Sequence, residues 1–184
     1  MITRATAVLS VLLLAGAASA FDDYLAARQK FGQIETDRLR PGARVTLLPR
    51  EIDAWVAHEA PAGVRNPRLE LQSGIAKGSA LIDFGKVRRA QGHQPGWLMA
   101  KLLDGERPVT VQARIRSGNG QATVDVERVE ISGIAIDGGT LDFLIQNVLL
   151  PMYPDAAVGR PFQLGHRIDR LEVQPGAVGV VIGR

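Results

Sequence analysis

The chain has no cysteine among its 184 residues. This excludes disulfides, thiolate metal sites, a cysteine nucleophile and the acylated cysteine of a bacterial lipoprotein. Aromatic residues are scarce, with 5 Phe, 2 Tyr and 2 Trp, so the apolar content is carried by Val, Leu, Ile and Ala. The 3 histidines, His58, His93 and His166, show no H-x-x-x-H or H-E-x-x-H spacing. A zinc site needs three or four convergent ligands, so neither a metal nor another cofactor is expected. His58-Glu59 reads instead as the polar last turn of a helix.

Catalytic signatures are missing as well. Ser73, Ser79, Ser117 and Ser132 lack the G-x-S-x-G elbow. Asp125 and Glu127 share the wet face of a strand opposite Arg114 and Arg116, where cross-strand ion pairing explains them better than glycoside chemistry. Gly118-Asn119-Gly120 is a hairpin turn, and the glycines from Gly176 to Gly183 precede no helix, so neither is a phosphate loop. No catalytic residue is assigned, and the protein reads as a non-enzyme. The formal charge of +3 is not concentrated in any block, so nucleic acid is not an expected partner. Short basic clusters such as Arg88-Arg89 suit at most a transient contact with an anionic membrane surface.

One long apolar run is present, at the start. Arg4 precedes the apolar residues 5–18, and Ala18-Ser19-Ala20 places small residues at the −3 and −1 positions of a processing site. Residues 1–20 therefore read as a signal peptide cleaved after Ala20. The mature protein is expected to be periplasmic or secreted, with residues 21–184 forming one domain.

Within that domain the hydrophobic period changes. Tyr24, Ala27, Phe31 and Ile34 predict a helix over 21–39, ended by Pro41-Gly42. A short strand over 45–48 precedes a helix over 49–59 that opens at Pro49 and carries Ile52, Trp55 and Val56 on one face. Alternation then predicts strands over 68–73 and 75–84, joined near Ser73-Gly74. Residues 85–94 read as irregular and basic, and 97–103 as a short helix. The clearest signal is the hairpin in which Val109, Val111, Ala113 and Ile115 alternate with polar residues, turn through Asn119-Gly120, and return as Ala122, Val124 and Val126. Beyond Glu127 the apolar parity switches to Val129 and Ile131, which predicts a bulge in a strand running to Ile136. An apolar helix over 141–150 follows a capping Asp137 and ends at Pro151. An extended piece over 161–164 and strands over 168–173 and 177–182 close the chain, the last two joined at Pro175-Gly176.

The expected fold is α+β. N-terminal helices precede a strongly curved antiparallel half-barrel, with the long apolar helix laid into its dry face. Small dry-face residues leave volume that something must occupy. A lipid or other apolar ligand is one occupant, lined by Ala80 and Ile82, by Val109, Val111, Ala113 and Ile115, by Ala122 and Val124, and by Leu144, Ile145 and Val148. The alternative is an envelope scaffold or interaction protein whose core is filled by its own side chains, the 141–150 helix with Trp55 and Trp97, and which takes no ligand. Nothing in the sequence sets an oligomeric state.

The order of these pieces resembles the YceB-like bacterial envelope proteins. The resemblance rests on Pro49-Arg50-Glu51-Ile52-Asp53-Ala54-Trp55, Ala80-Leu81-Ile82-Asp83-Phe84, the 109–136 hairpin, the 141–153 helix, and Leu171-Glu172-Val173-Gln174-Pro175-Gly176-Ala177-Val178. It implies a half-barrel related to tubular lipid-binding (TULIP-like) domains, in the periplasm, with a lipid ligand. Those proteins are typically lipoproteins, and the absence of cysteine here means that the lipid anchor does not carry over. No catalytic residue is implied.

Overall fold

Among the described residues, the changes of hydrophobic period separate two helices, two antiparallel sheets and two short helical turns. The computed structural model describes residues 3–60, 62–90, 105–146, 150 and 157–184. Helix α1 (Thr3–Glu35) is one continuous helix through Ala20 and Phe21. It stops earlier than the 21–39 periodicity predicts. Thr36 turns its hydroxyl back onto the Gln33 carbonyl, and Asp37 adopts a left-handed φ of 53°, which no helix can continue. Among the described residues no helix is long and apolar enough to cross a membrane.

Strand β1 (Arg44–Leu47) leads into α2 (Pro49–Glu59), which begins at the proline as expected. Leu48 has no side-chain acceptor, so the usual reciprocal cap is half made: the Glu51 carboxylate accepts the Leu48 N–H at 2.9 Å. The same buried carboxylate takes both available contacts from Lys30 of α1, at 2.6 and 2.7 Å. Three further contacts hold the two helices together. Arg50 donates to Asp23 at 3.0 Å, Phe31 meets Trp55 at 4.9 Å, and Tyr24 stacks on His58 at 4.1 Å. His58 also lies 3.2 Å from Glu59, in keeping with its reading as a polar helix end.

The larger sheet follows the order β2 (Val64–Gln72), β3 (Ile75–Asp83), β4 (Glu106–Gly118), β5 (Gln121–Ile131), β6 (Ile134–Ile136), all antiparallel. Strands β2 and β6 are its two edges, so it is not a closed barrel. The parity switch has the predicted cause: Gln112 pairs with Arg128 and Ala113 with Val126, leaving Glu127 as the bulged residue. The strand does not continue to Ile136. Ser132 and Gly133, both at positive φ, turn the chain back so that Ile134 pairs with Ile131. Of the stretch 85–94 expected to be irregular, residues 85–90 are helical and 91–94 lie outside the described residues: α3 (Phe84–Ala90) starts where Asp83 accepts the Lys86 N–H at 2.9 Å, a helix cap inside what read as a strand end. The helix expected over 97–103 lies outside the described residues.

Helix α4 (Gly138–Leu144) begins three residues before the expected start, and the Asp137 side chain makes no cap hydrogen bond. Leu141 is buried and Phe143 exposed. Residues 147–149 and 151–156 of the predicted helix and its end lie outside the described residues.

The smaller sheet has β9 (Ala177–Ile182) between β1 and β8 (Ile168–Gln174). Val180, Val181 and Ile182 are all buried, as expected of a central strand covered on both faces. Ile34, Val45, Leu47, Val180 and Ile182 form its core, with Phe31, Ile52 and Leu171 packed around them. Arg44 reaches across Gly179 to Glu172 at 2.8 Å, a path that a Cβ at Gly179 would block, lying 2.7 Å from the guanidinium.

The two sheets meet where hairpin ends abut the free edge of β8. Gly74 N–H donates to the Val173 carbonyl at 3.0 Å and Gly120 N–H to that of Asp169 at 2.8 Å. The Ser117 hydroxyl both donates to the Leu171 carbonyl and accepts the Leu171 N–H, each at 2.8 Å, so a side chain stands in for a strand partner. Asn119 and Gly120 make that approach with the two positive φ values their turn requires. Strand β7 (Phe162–Gln163) pairs with the start of β5.

Candidate functional site

Residues directly opposite in an antiparallel ladder share a face. The observed register therefore joins the dry positions into one surface: Leu69 faces Gly78, which faces Val111, which faces Val129. Parallel rows run Leu71–Ala76–Ala113–Val126 and Ala80–Val109–Ile131, with Ile115 opposite Val124. This surface is only partly covered. Leu71 and Val109 are buried, whereas Ala76, Gly78, Ala80, Ile82, Val111, Ala113, Ile115, Val124, Val126, Val129 and Ile131 all remain intermediate.

A groove of about 250 Å³ opens between this surface and α2. Helix α2 contributes Ile52, Asp53 and Val56; β2 contributes Val64, Arg68 and Leu69. The floor is Gly78, Ala80, Ile82, Val109 and Val111. Four of the sequence-predicted lining residues, Ala80, Ile82, Val109 and Val111, thus come together. Ala113, Ile115 and Val124 continue the same face beyond the groove. Ala122 does not line the groove: it is 2 % exposed, set in register between Ser117 of β4 and Phe162 of β7. Ile145 is half-buried just past α4, away from the groove lining. The Leu144 side chain and Val148 lie outside the described residues. Trp55, expected as a filler of the sheet's volume, packs on Phe31 instead.

Helix α2 was the missed half of the groove. Its apolar spacing at Ile52 and Val56 was legible, but periodicity says that a face is buried without saying against what.

One acid sits in this apolar setting. Burial pushes the Asp53 carboxyl above its ordinary value, opposed by the nearby Arg68 charge and a hydrogen bond from the Leu69 backbone. On the opposite face of the sheet the charges are paired. Arg114 donates to Glu127 at 2.7 Å and Arg116 to Asp125 at 2.6 Å, which is the cross-strand pairing the sequence predicted. Hydrogen bonds from Gln112 and then from Arg114 hold the Glu127 carboxyl below its ordinary range. A polar hollow of about 260 Å³ among Lys77, Thr110, Gln112, Arg128 and Glu130 lies on this wet face. Among the described residues no group of three His, Asp or Glu side chains is placed to hold a metal.

The chain matches no protein-family model and no curated protein sequence.

Proposed function

We propose that this protein is a non-enzymatic binding module of the cell envelope, periplasmic or secreted after cleavage behind Ala20, that shelters an acyl chain or similar apolar ligand. In this reading the larger sheet is a YceB-like, TULIP-like half-barrel, curved about its dry face, with the apolar helix beginning at α4 completing the enclosure. The observation that carries it is the half-covered dry surface: a continuous apolar face with small residues at Gly78 and Ala80 and a groove beneath α2. Monomeric proteins rarely leave such a face open without a binding partner for it. The groove is a little smaller than the pockets of about 300 Å³ and above that enclose drug-sized ligands, so it takes part of a chain, with the Ala113–Val124 surface available for the remainder. Affinity would come mainly from apolar area, at roughly 25 cal/mol per Å² before ordering costs.

The test is native mass spectrometry of the exported, gently purified protein, with solvent extraction of any adduct. A stoichiometric lipid that is lost in a folded Ala80→Phe variant supports the module. A clean apo mass that incubation with envelope lipids leaves unchanged supports the ligand-free scaffold instead.

A further inference from the structure

Resting on that reading, we propose that the ligand is a single-chain amphiphile with an anionic oxygen headgroup, a carboxylate or phosphate monoester, anchored by Arg68 at the rim of the groove. Two arginines on the elements that flank the groove are already committed. Arg50 and Arg65 each hold a carboxylate at 3.0 Å. Arg68 differs from these. Its one hydrogen bond among the described residues is the donation to the neighbouring Pro67 carbonyl at 3.1 Å, and it forms no salt bridge there.

Its position suits an anchor. In register with Ser79, Arg68 leaves the sheet on the face opposite Leu69, yet β2 is the edge strand and Arg68 still borders the apolar opening. It is exposed, so the guanidinium keeps its water until an anion arrives. A planar guanidinium matches the two oxygens of a carboxylate or phosphate, and the adjoining Leu69, Ala80 and Val109 surface takes the first methylenes of the tail.

Asp53 competes for the same cation. It lies in the groove lining, close enough for Arg68 to offset part of its burial cost. An anion seated at Arg68 would also feel the negative charge of Asp53 across the groove, so neutralising Asp53 should strengthen binding. That sign separates an electrostatic anchor from a residue that merely holds the rim in shape.

The experiment is isothermal titration of the signal-cleaved protein at pH 7.5 with dodecanoate, dodecyl phosphate, dodecan-1-ol and dodecyltrimethylammonium, which share one tail. The expected order places at least one anion about tenfold above the alcohol, with the ammonium weakest. Comparing dodecanoate with dodecyl phosphate shows which anion the rim fits. Arg68→Gln should remove the advantage of the anion and leave the alcohol within about twofold, whereas Asp53→Asn should raise anion affinity about threefold. If Arg68→Gln fails to fold, Arg68→Lys and Asp53→Asn carry the test, because the first keeps a point charge without the planar fork. Equal affinity for anion and alcohol, both lost in Ala80→Phe, would overturn the headgroup assignment and leave the apolar site standing. Tightest binding of the ammonium overturns the assignment in favour of Asp53. No binding of any probe overturns the groove and the headgroup together.

Discussion

The two sheets of this protein follow the same alternating code and come to different ends. In the smaller sheet the apolar face of β9 and β1 is sealed by α1 and α2, so Val45, Leu47, Val180 and Ile182 are all buried. In the larger sheet the equivalent rows of β3, β4 and β5 stay half-covered, and the side chains there are smaller. Alternation commits a face to being dry, but the helix laid over it decides whether the face becomes a core or a groove. One helix, α2, does both: Ile52 belongs to the sealed core and also lines the groove.

The largest effect should come from cutting into the sealed side. Ile182→Ala should cost about 2 to 5 kcal/mol in urea denaturation, since surrounding side chains cannot collapse into the space. Ile82→Ala in the groove should cost about 1 kcal/mol, because less of that side chain leaves water on folding. Equal losses at the two sites would break the distinction between core and groove.

Next is the joint on which α2 is hung. Lys30→Met leaves the Glu51 carboxylate buried with only the Leu48 N–H, and should cost about 2 kcal/mol by the same measurement. Glu51→Gln retains an acceptor for Leu48 and should cost less. If Lys30→Met were neutral, α2 would be held by its apolar contacts alone.

A smaller effect sharpens the comparison from the groove side. Ala80→Phe should change stability by less than about 1 kcal/mol if the groove has room, whereas a packed interior would lose about 1 to 3 kcal/mol. Thermal and urea unfolding of the folded variant decide between these.

The smallest effects are in the pH dependence, and the two faces should differ in sign. Asp53 has its folded pKa raised above the ordinary 3.8, so its ionisation opposes folding. That cost is complete above the raised value and disappears as pH falls toward 3.8; Asp53→Asn should therefore stabilise at neutral pH and flatten this part of the profile. Glu127 is lowered from 4.5 by Gln112 and Arg114, so it contributes stability above 4.5 that is lost as pH falls through its lower folded value. Glu127→Gln should remove that acid-side loss. Urea midpoints between pH 3 and 7 read both, and slopes of the same sign would contradict the assignment of these acids to dry and wet environments.

Much of the fold was legible because it rests on local chemistry. Pro49 opens α2, Asn119-Gly120 turns the main hairpin, Pro175-Gly176 turns the last one, and the parity change after Val126 marks the bulge at Glu127. The errors fall where local signals compete. Ser132-Gly133 sits among Val129, Ile131, Ile134 and Ile136, and this apolar run hid a turn that two positive φ values close, although the parity shift from Ile131 to Ile134 marks it. Asp83 ends an apolar strand and could equally begin a helix, which it does. The candidate site was half legible: the floor residues Ala80, Ile82, Val109 and Val111 share a parity that the sequence displays. Ala122 shares it too, yet it is buried where β7, some forty residues away along the chain, pairs with β5.

Alternation and turn residues determined, by themselves, an antiparallel α+β protein with one dry and one wet sheet face. These depend on side-chain period and backbone preference, which act over a few residues. Only the tertiary structure decided that α2 forms the roof of the groove, that Arg68 and Asp53 share its lining, and that the hairpin ends seal the edge of β8 through Ser117. Those outcomes depend on contacts between segments far apart in the chain, where packing and hydrogen-bond satisfaction select a partner that no local period specifies.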